Sequence, residues 1–418
     1  MRPVRGRRIL PFALLVGLAL AAYLVLQRSS VLATSLPLRS DQDGFLAAAE
    51  LFSTRLLVES KAPLYSVWLG IFHILSDHNP WLTFVREKSA TLLLLGFGLG
   101  WLGYRMHSLA TGAFLLLWVM SLKYLIIESN GSNAFASLLI VYGAIAMLRV
   151  STPWKAPVGA LTLFLASQAR PEFAPILGLY LLVLGVRWLY HVSRRECRLD
   201  STSMRAWLGV LLMILGVGAT LRARMSAPPF GSSLAIYAGF AVTYVERNHL
   251  DDTYHSGWGA VPEVWALVFP TLSSPLDRSP VDLLGRMWMA DRSELLGHLL
   301  YNAKRTPRIL TAVLLGFQSR LIMVVTLMLY LAYLIAEQWL SIGGAPSFQT
   351  SREIWTMLAG LALLVPFAIV ILPLWRYFIP LVVPLLLSAA LLCSRLVGNV
   401  TRMATRTAGV APLPDDGS

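Results

Sequence analysis

The chain has 418 residues, of which 56% are apolar and only 14% charged, with a net charge of +13; its mean hydropathy is +0.64. A soluble domain carries about a quarter charged residues, so water is excluded as the main solvent. Nucleic-acid binding is excluded as well, because the arginines punctuate long apolar runs as topogenic signals do.

Arg2, Arg5, Arg7 and Arg8 open the chain ahead of an apolar run from Ile9 to Leu26. That run exceeds the usual signal-peptide core and no A-x-A site follows, so it reads as an uncleaved first span. Further apolar runs follow at Leu82–Tyr104, Leu109–Ile127, Phe135–Leu148, Pro157–Ala169, Phe173–Tyr190, Trp207–Thr220, Leu321–Leu340, Ile354–Pro373 and Phe378–Leu396. A helix needs about 20 apolar residues to cross a hydrocarbon core with its peptide groups satisfied, and these runs with the first predict about ten spans. The fold class expected is all-α, a polytopic transmembrane helix bundle with extracytoplasmic amphipathic loop helices.

Alternation from a cytoplasmic N-terminus places Arg105, Arg149, Lys155, the cluster Arg187, Arg194, Arg195 and Arg198, and finally Arg402 and Arg406 on the inside. This obeys the positive-inside rule. The organisation predicted is an N-terminal transmembrane module over 1–221 with a first outer loop at 28–81, a large extracytoplasmic loop over 222–318, C-terminal spans over 319–396 and a disordered cytoplasmic tail over 397–418. Cys197 and Cys393 both fall beside inner runs, which predicts neither an outer disulfide nor a metal cluster.

The same alternation gathers the polar segments that interrupt the apolar pattern on the opposite face. Ser40-Asp-Gln-Asp-Gly-Phe45 opens an interfacial amphipathic helix. Its Asp41 and Asp43 either cap that helix or act as a general base, for which partial desolvation suits a carboxylate. Lys61, followed by Ala62-Pro63-Leu64-Tyr65, is a lipid-headgroup anchor or a phosphate ligand, and Tyr65 either joins the interfacial aromatic belt or faces the site. Glu128 ends an outward-running span, where an ionisable group usually faces a cavity. Arg170-Pro171-Glu172 puts two opposite charges between apolar runs, which costs several kcal/mol unless they line a polar cavity or a partner offsets it. Arg376 and Tyr377 lie between the last two spans, where Arg376 either snorkels to headgroups or coordinates a phosphate.

Taken in order, these segments resemble the glycosyltransferase C superfamily, in particular the branch related to dolichyl-phosphate-mannose protein mannosyltransferases and bacterial aminoarabinose transferases. Asp41 with Phe45 is similar to the family's first-loop Asp…Tyr element, and Lys61-Ala-Pro-Leu-Tyr65 to its Lys/Arg-Pro-Pro-Leu-Tyr element. Glu128, Arg170-Pro-Glu172 and Arg376-Tyr-Phe-Ile-Pro380 match later elements of the same series. Asp-Gln-Asp replaces the more usual Asp-Glu and Ala62 the first proline, which leaves the choice between Asp41 and Asp43 open.

The resemblance implies sugar transfer from a polyprenyl-phosphate donor to an extracytoplasmic lipid, glycan or protein acceptor, with inversion. The protein would be a multi-pass resident of a bacterial inner (plasma) membrane, among membrane lipids, with its site facing the periplasm and no nucleic-acid partner. Asp41 or Asp43 would be the base; Lys61, Tyr65, Glu128, Arg170, Glu172, Arg376 and Tyr377 would bind substrate. No cofactor is required, and a divalent ion between Asp41 and Asp43 is compatible with the chemistry without being needed. The sequence holds no Walker-type phosphate loop and no H-E-x-x-H zinc motif. The competing readings are a lipid-linked oligosaccharide flippase or other transporter, whose charges should collect near the bilayer midplane rather than at one face, and a glycan polymerase.

Overall fold

The computed structural model describes residues 9–28, 40–58, 62–122, 131–194, 201–225, 233–250, 261–270, 272, 280–316, 320–340 and 351–407. Among the described residues there is no strand; the only extended pairing is an isolated bridge, in which the Val58 amide donates to the Arg224 carbonyl at 2.9 Å. The helices in chain order are α1 (Ile9–Arg28), α2 (Ser40–Arg55), α3 (Pro63–Leu75), α4 (Pro80–Met106), α5 (Leu109–Met120), α6 (Ser132–Arg149), α7 (Thr152–Ala169), α8 (Ala174–Ser193) and α9 (Ser201–Arg224). There follow α10 (Ser233–Arg247), α11 (Val261–Val268), α12 (Pro280–Ala290), α13 (Arg292–Leu315), α14 (Arg320–Leu340), α15 (Arg352–Gly360), α16 (Leu364–Ile371), α17 (Trp375–Phe378) and α18 (Val382–Thr407).

Local chemistry sets several of the boundaries. Asn79 caps α4 by accepting from the Leu82 amide at 3.0 Å, and Pro80 fills the first helical position, where its missing N–H costs nothing. Ser108 caps α5 through the Thr111 amide, and Asp291 caps α13 through those of Ser293 and Glu294. α5 stops at Met120, short of the expected Ile127, as the Ser121 amide closes the last turn onto Leu117 and Trp118. Residues 397–407, expected in an irregular tail, instead continue α18; residues 408–418 lie outside the described ones.

Among the described residues, five helical stretches are long and apolar enough to cross a membrane: Ser132–Arg149, Pro171–Ser193, Ser201–Arg224, Arg352–Ile371 and Arg376–Val400. They are not equivalent. The first is 67% buried within the protein, whereas the second and third are only 17% buried. α6 is therefore central, and α8 and α9 present Leu182, Leu189, Leu208, Leu212 and Leu215 outward, the pattern of a lipid-facing surface.

The centre is built on close helix approach. Gly98-x-Gly100-x-x-Gly103 has the spacing of a dinucleotide loop, yet it lies wholly inside α4 with no strand before it. Its role is packing: a Cβ on Gly112 of α5 would overlap the Gly100 carbonyl, and one on Gly100 would lie 3.1 Å from the Gly112 carbonyl. At one end of the bundle α10–α13 form a second cluster, where Ile236, Phe240, Trp265, Phe269, Leu283, Met287 and Leu295 pack with Ile371 and Leu372 at the end of α16. Ion pairs from Arg247 to Glu294 and from Arg305 to Glu246 tie α10 to α13.

Candidate functional site

The first part of the site is assembled around the start of α3. Tyr65 is fully buried, edge-on to Phe45 of α2 at 5.2 Å between ring centroids and 6.1 Å from Phe135 of α6. One turn later Trp68 stacks on Phe135 at 5.0 Å, and its Nε1 donates toward Glu87 Oε1 at 3.2 Å and Thr91 Oγ1 at 3.1 Å. Thr91 itself donates to Glu87 at 2.9 Å. Glu87 is 1% exposed and lies against Gly131, where an added Cβ would stand 2.5 and 2.7 Å from the two carboxylate oxygens. Glycine there lets the start of α6 touch a buried carboxylate. Sequence reasoning passed over Glu87, although a Glu87-Lys88 pair inside the run Leu82–Tyr104 is the same signal that singled out Arg170 and Glu172.

The second part forms where α7 ends. The Arg170 amide still bonds to the Ala166 carbonyl at 2.8 Å, but its own φ is extended, and Pro171 starts a 3-10 turn over Pro171–Phe173. That break leaves the two charges one residue apart. Arg170 Nη2 and Glu172 Oε1 are 3.3 Å apart, with side chains 5% and 10% exposed. Arg170 Nε and Glu172 Oε2 are both buried and have no hydrogen-bond partner among the described residues. The Arg170 guanidinium stands 5.8 Å from the centroid of the Tyr377 ring, and that of Arg376 stands 5.4 Å from it. Tyr377 is in turn set by its own amide bonding to the Leu374 carbonyl at 3.0 Å and by Phe367, edge-on at 6.2 Å.

The two parts share one end of the bundle. α3 packs on α7, α6 on the 3-10 turn Ile379–Leu381, and the turn Pro171–Phe173 on α16. Of the residues singled out in the sequence, Arg170, Glu172, Arg376 and Tyr377 are thus gathered from distant parts of the chain, and Tyr65 is linked to them through the packing of α3 on α7. Lys61 and Glu128 lie outside the described residues, and for Asp41 and Asp43 the description covers only their backbone, in the first turn of α2. Helical periodicity separates those two positions. Position 41 is one turn before Phe45, on the face that buries Phe45, Ala48 and Ala49; position 43 shares its face with the exposed Ala47 and Glu50.

No three His, Cys, Asp or Glu residues among the described ones are grouped as a metal ion would need. No protein-family model, curated protein or solved structure matches this chain.

Proposed function

We propose that the chain is a multi-pass membrane glycosyltransferase that moves a sugar from a polyprenyl phosphate to an acceptor outside a bacterial inner membrane. The observation that carries this reading is the buried Arg170–Glu172 pair beside Tyr377, in which Arg170 Nε and Glu172 Oε2 have no hydrogen-bond partner among the described residues. Buried polar groups are nearly always satisfied, and those that are not call for an explanation such as a missing ligand. A phosphosugar fits both valences: the guanidinium takes a phosphate or ring oxygen, and the carboxylate takes a sugar hydroxyl. The aromatic ring covers a face of the pair, where a low dielectric strengthens both bonds.

The reaction is a single displacement. Asp41 takes the acceptor hydroxyl proton as the acceptor oxygen bonds to the anomeric carbon, and the bond from that carbon to the phosphate oxygen breaks with its electron pair staying on the phosphate. The leaving phosphate is already an anion, so it needs positive charge rather than a proton; Arg376 and Lys61 supply it. Glu172 and Glu128 favour the oxocarbenium-like charge on the sugar. No cofactor is required. Asp41 is preferred to Asp43 because its helical position shares the face that carries Phe45 onto Tyr65.

In this reading α1, α4, α5, α6, α7, α8, α9, α14, α15 with α16, and α17 with α18 are the ten spans, and the site faces the periplasm. The bond between Val58 and Arg224 supports that register, because it joins the first loop, between α2 and α3, to the end of α9 on one side. The test is transfer of radiolabelled sugar from a panel of polyprenyl-phosphate sugars by the purified protein in lipid nanodiscs. Labelled acceptor is the expected product. Movement of lipid-linked glycan between leaflets of proteoliposomes, with no transfer from any donor, would replace the enzyme with a flippase.

A further inference from the structure

Between α9 and α14, where the sequence shows no motif, helices α10–α13 pack onto the place where a helix must break to deliver Arg376 and Tyr377. α16 ends at Ile371 because Pro373 follows and holds Leu372 in extended backbone. A helix end leaves its last carbonyls without donors from its own turns, and away from water each needs one from elsewhere.

α13 supplies them. Asn302 Nδ2 donates to the Ile369 carbonyl at 2.8 Å, and His298 Nε2 donates to the Val370 carbonyl at 2.8 Å. A carbonyl only accepts, so the ring proton is on Nε2, and Nδ1 is left buried with no partner among the described residues. Asn302 is fully buried and His298 is 2% exposed. The Asn302 Oδ1 accepts from Thr243 of α10 at 3.4 Å. Gly239 of the same helix lies so close to the Ile371 carbonyl that any Cβ would overlap it. Neutral donors suit this buried position, because a lysine or arginine there would carry an unpaired charge out of water. Directly beyond the break, the Leu374 amide bonds to the Leu372 carbonyl at 2.8 Å and the Tyr377 amide to the Leu374 carbonyl at 3.0 Å.

We infer that His298 and Asn302 are positioning residues: by capping the carbonyl end of α16 they fix the turn that presents Arg376 and Tyr377 to the Arg170–Glu172 pair. The segment from α10 to α13 is thereby part of the site's scaffold. This rests on the proposed function only for its catalytic consequence; the positional claim stands or falls by itself.

Amide hydrogen exchange on the full-length protein in nanodiscs tests it. His298→Leu removes the donor at similar bulk, and His298→Gln keeps an N–H at nearly the same reach. In His298→Leu the amides of residues 374–378 exchange about tenfold faster than in the wild type while those of α6 and α7 do not change, and His298→Gln stays within about twofold of wild type. Unchanged exchange in His298→Leu overturns the inference, as does His298→Gln exchanging as fast as His298→Leu. If His298→Leu loses protection everywhere, Asn302→Ser decides: it must speed the same five amides alone, and a second global loss counts against a local role. In the transfer assay His298→Leu raises the KM for the lipid-linked donor about tenfold and His298→Gln restores it, in line with one lost hydrogen bond. A wild type that transfers nothing would remove the enzymatic reading and leave the exchange result intact.

Discussion

Arg170 and Glu172 illustrate how a buried ion pair separates stability from function. Glu172→Gln leaves the guanidinium buried without its counter-charge, which costs about 3–5 kcal/mol and lowers the thermal unfolding midpoint in detergent. Replacing both, as Arg170→Met with Glu172→Leu, removes the uncompensated charge and recovers most of that midpoint. Donor binding stays lost in the double variant; a double variant that binds polyprenyl-phosphate sugar as the wild type does would show that the pair serves packing alone. His298 gives a second expectation at this scale. Burial pushes its pKa down to about 4 from an ordinary 6.5, with the Val370 bond opposing that shift. The unfolded chain then binds more protons than the folded one between those two values, so stability is complete above about 6.5, falls as the pH drops toward 4 and levels off below. The loss is about 3 kcal/mol, and His298→Gln should remove that part of the pH dependence of the unfolding midpoint. Residues of this kind differ in how far a sequence exposes them. Arg170 and Glu172 were legible because charge between apolar runs is rare, and Glu87 carries the same mark. His298 and Asn302 were not, because their partners are backbone carbonyls 72 and 67 residues further on.

At the scale of elements, the apolar runs located most of the helices, and their ends followed capping chemistry that hydropathy does not weigh. Asn79-Pro80 and Ser108 are readable as starts, whereas hydropathy marks neither the stop of α5 at Met120, where the Ser121 amide closes the last turn, nor the extension of α18 to Thr407. The crossing of α4 on α5 has little tolerance. Gly112→Ala places a methyl group against the Gly100 carbonyl and should cost about 1–3 kcal/mol as overpacking, seen as a lower unfolding midpoint. Gly178→Ala, on α8 with open space around its Cβ position, is the control and should leave the midpoint unchanged or slightly raised. Equal effects at the two glycines would contradict a tight α4–α5 crossing.

At the scale of the molecule, five stretches among the described residues meet the length and apolarity of a span, and the proposed register needs ten. Two of the others show why: α4 carries Arg86, Glu87 and Lys88 near its start, and α5 has only 12 residues. Packing against neighbours offsets such defects, which a window along the sequence does not register. The register predicts that a reporter fused within residues 195–200 reads cytoplasmic and one within 251–260 reads periplasmic. The reverse at either position would separate the Arg170 corner from the outer face. In the proposed function, one end of the bundle performs sugar transfer with Asp41 as base. Its most direct measurement is turnover of a polyprenyl-phosphate sugar by wild type, Asp41→Asn and Asp43→Asn proteins of matched unfolding midpoint. The wild type is expected to transfer, Asp41→Asn to lose about 100-fold or more as for a missing general base, and Asp43→Asn to turn over near normally. Full activity in Asp41→Asn, or no transfer by the wild type from any donor, would contradict the proposed function.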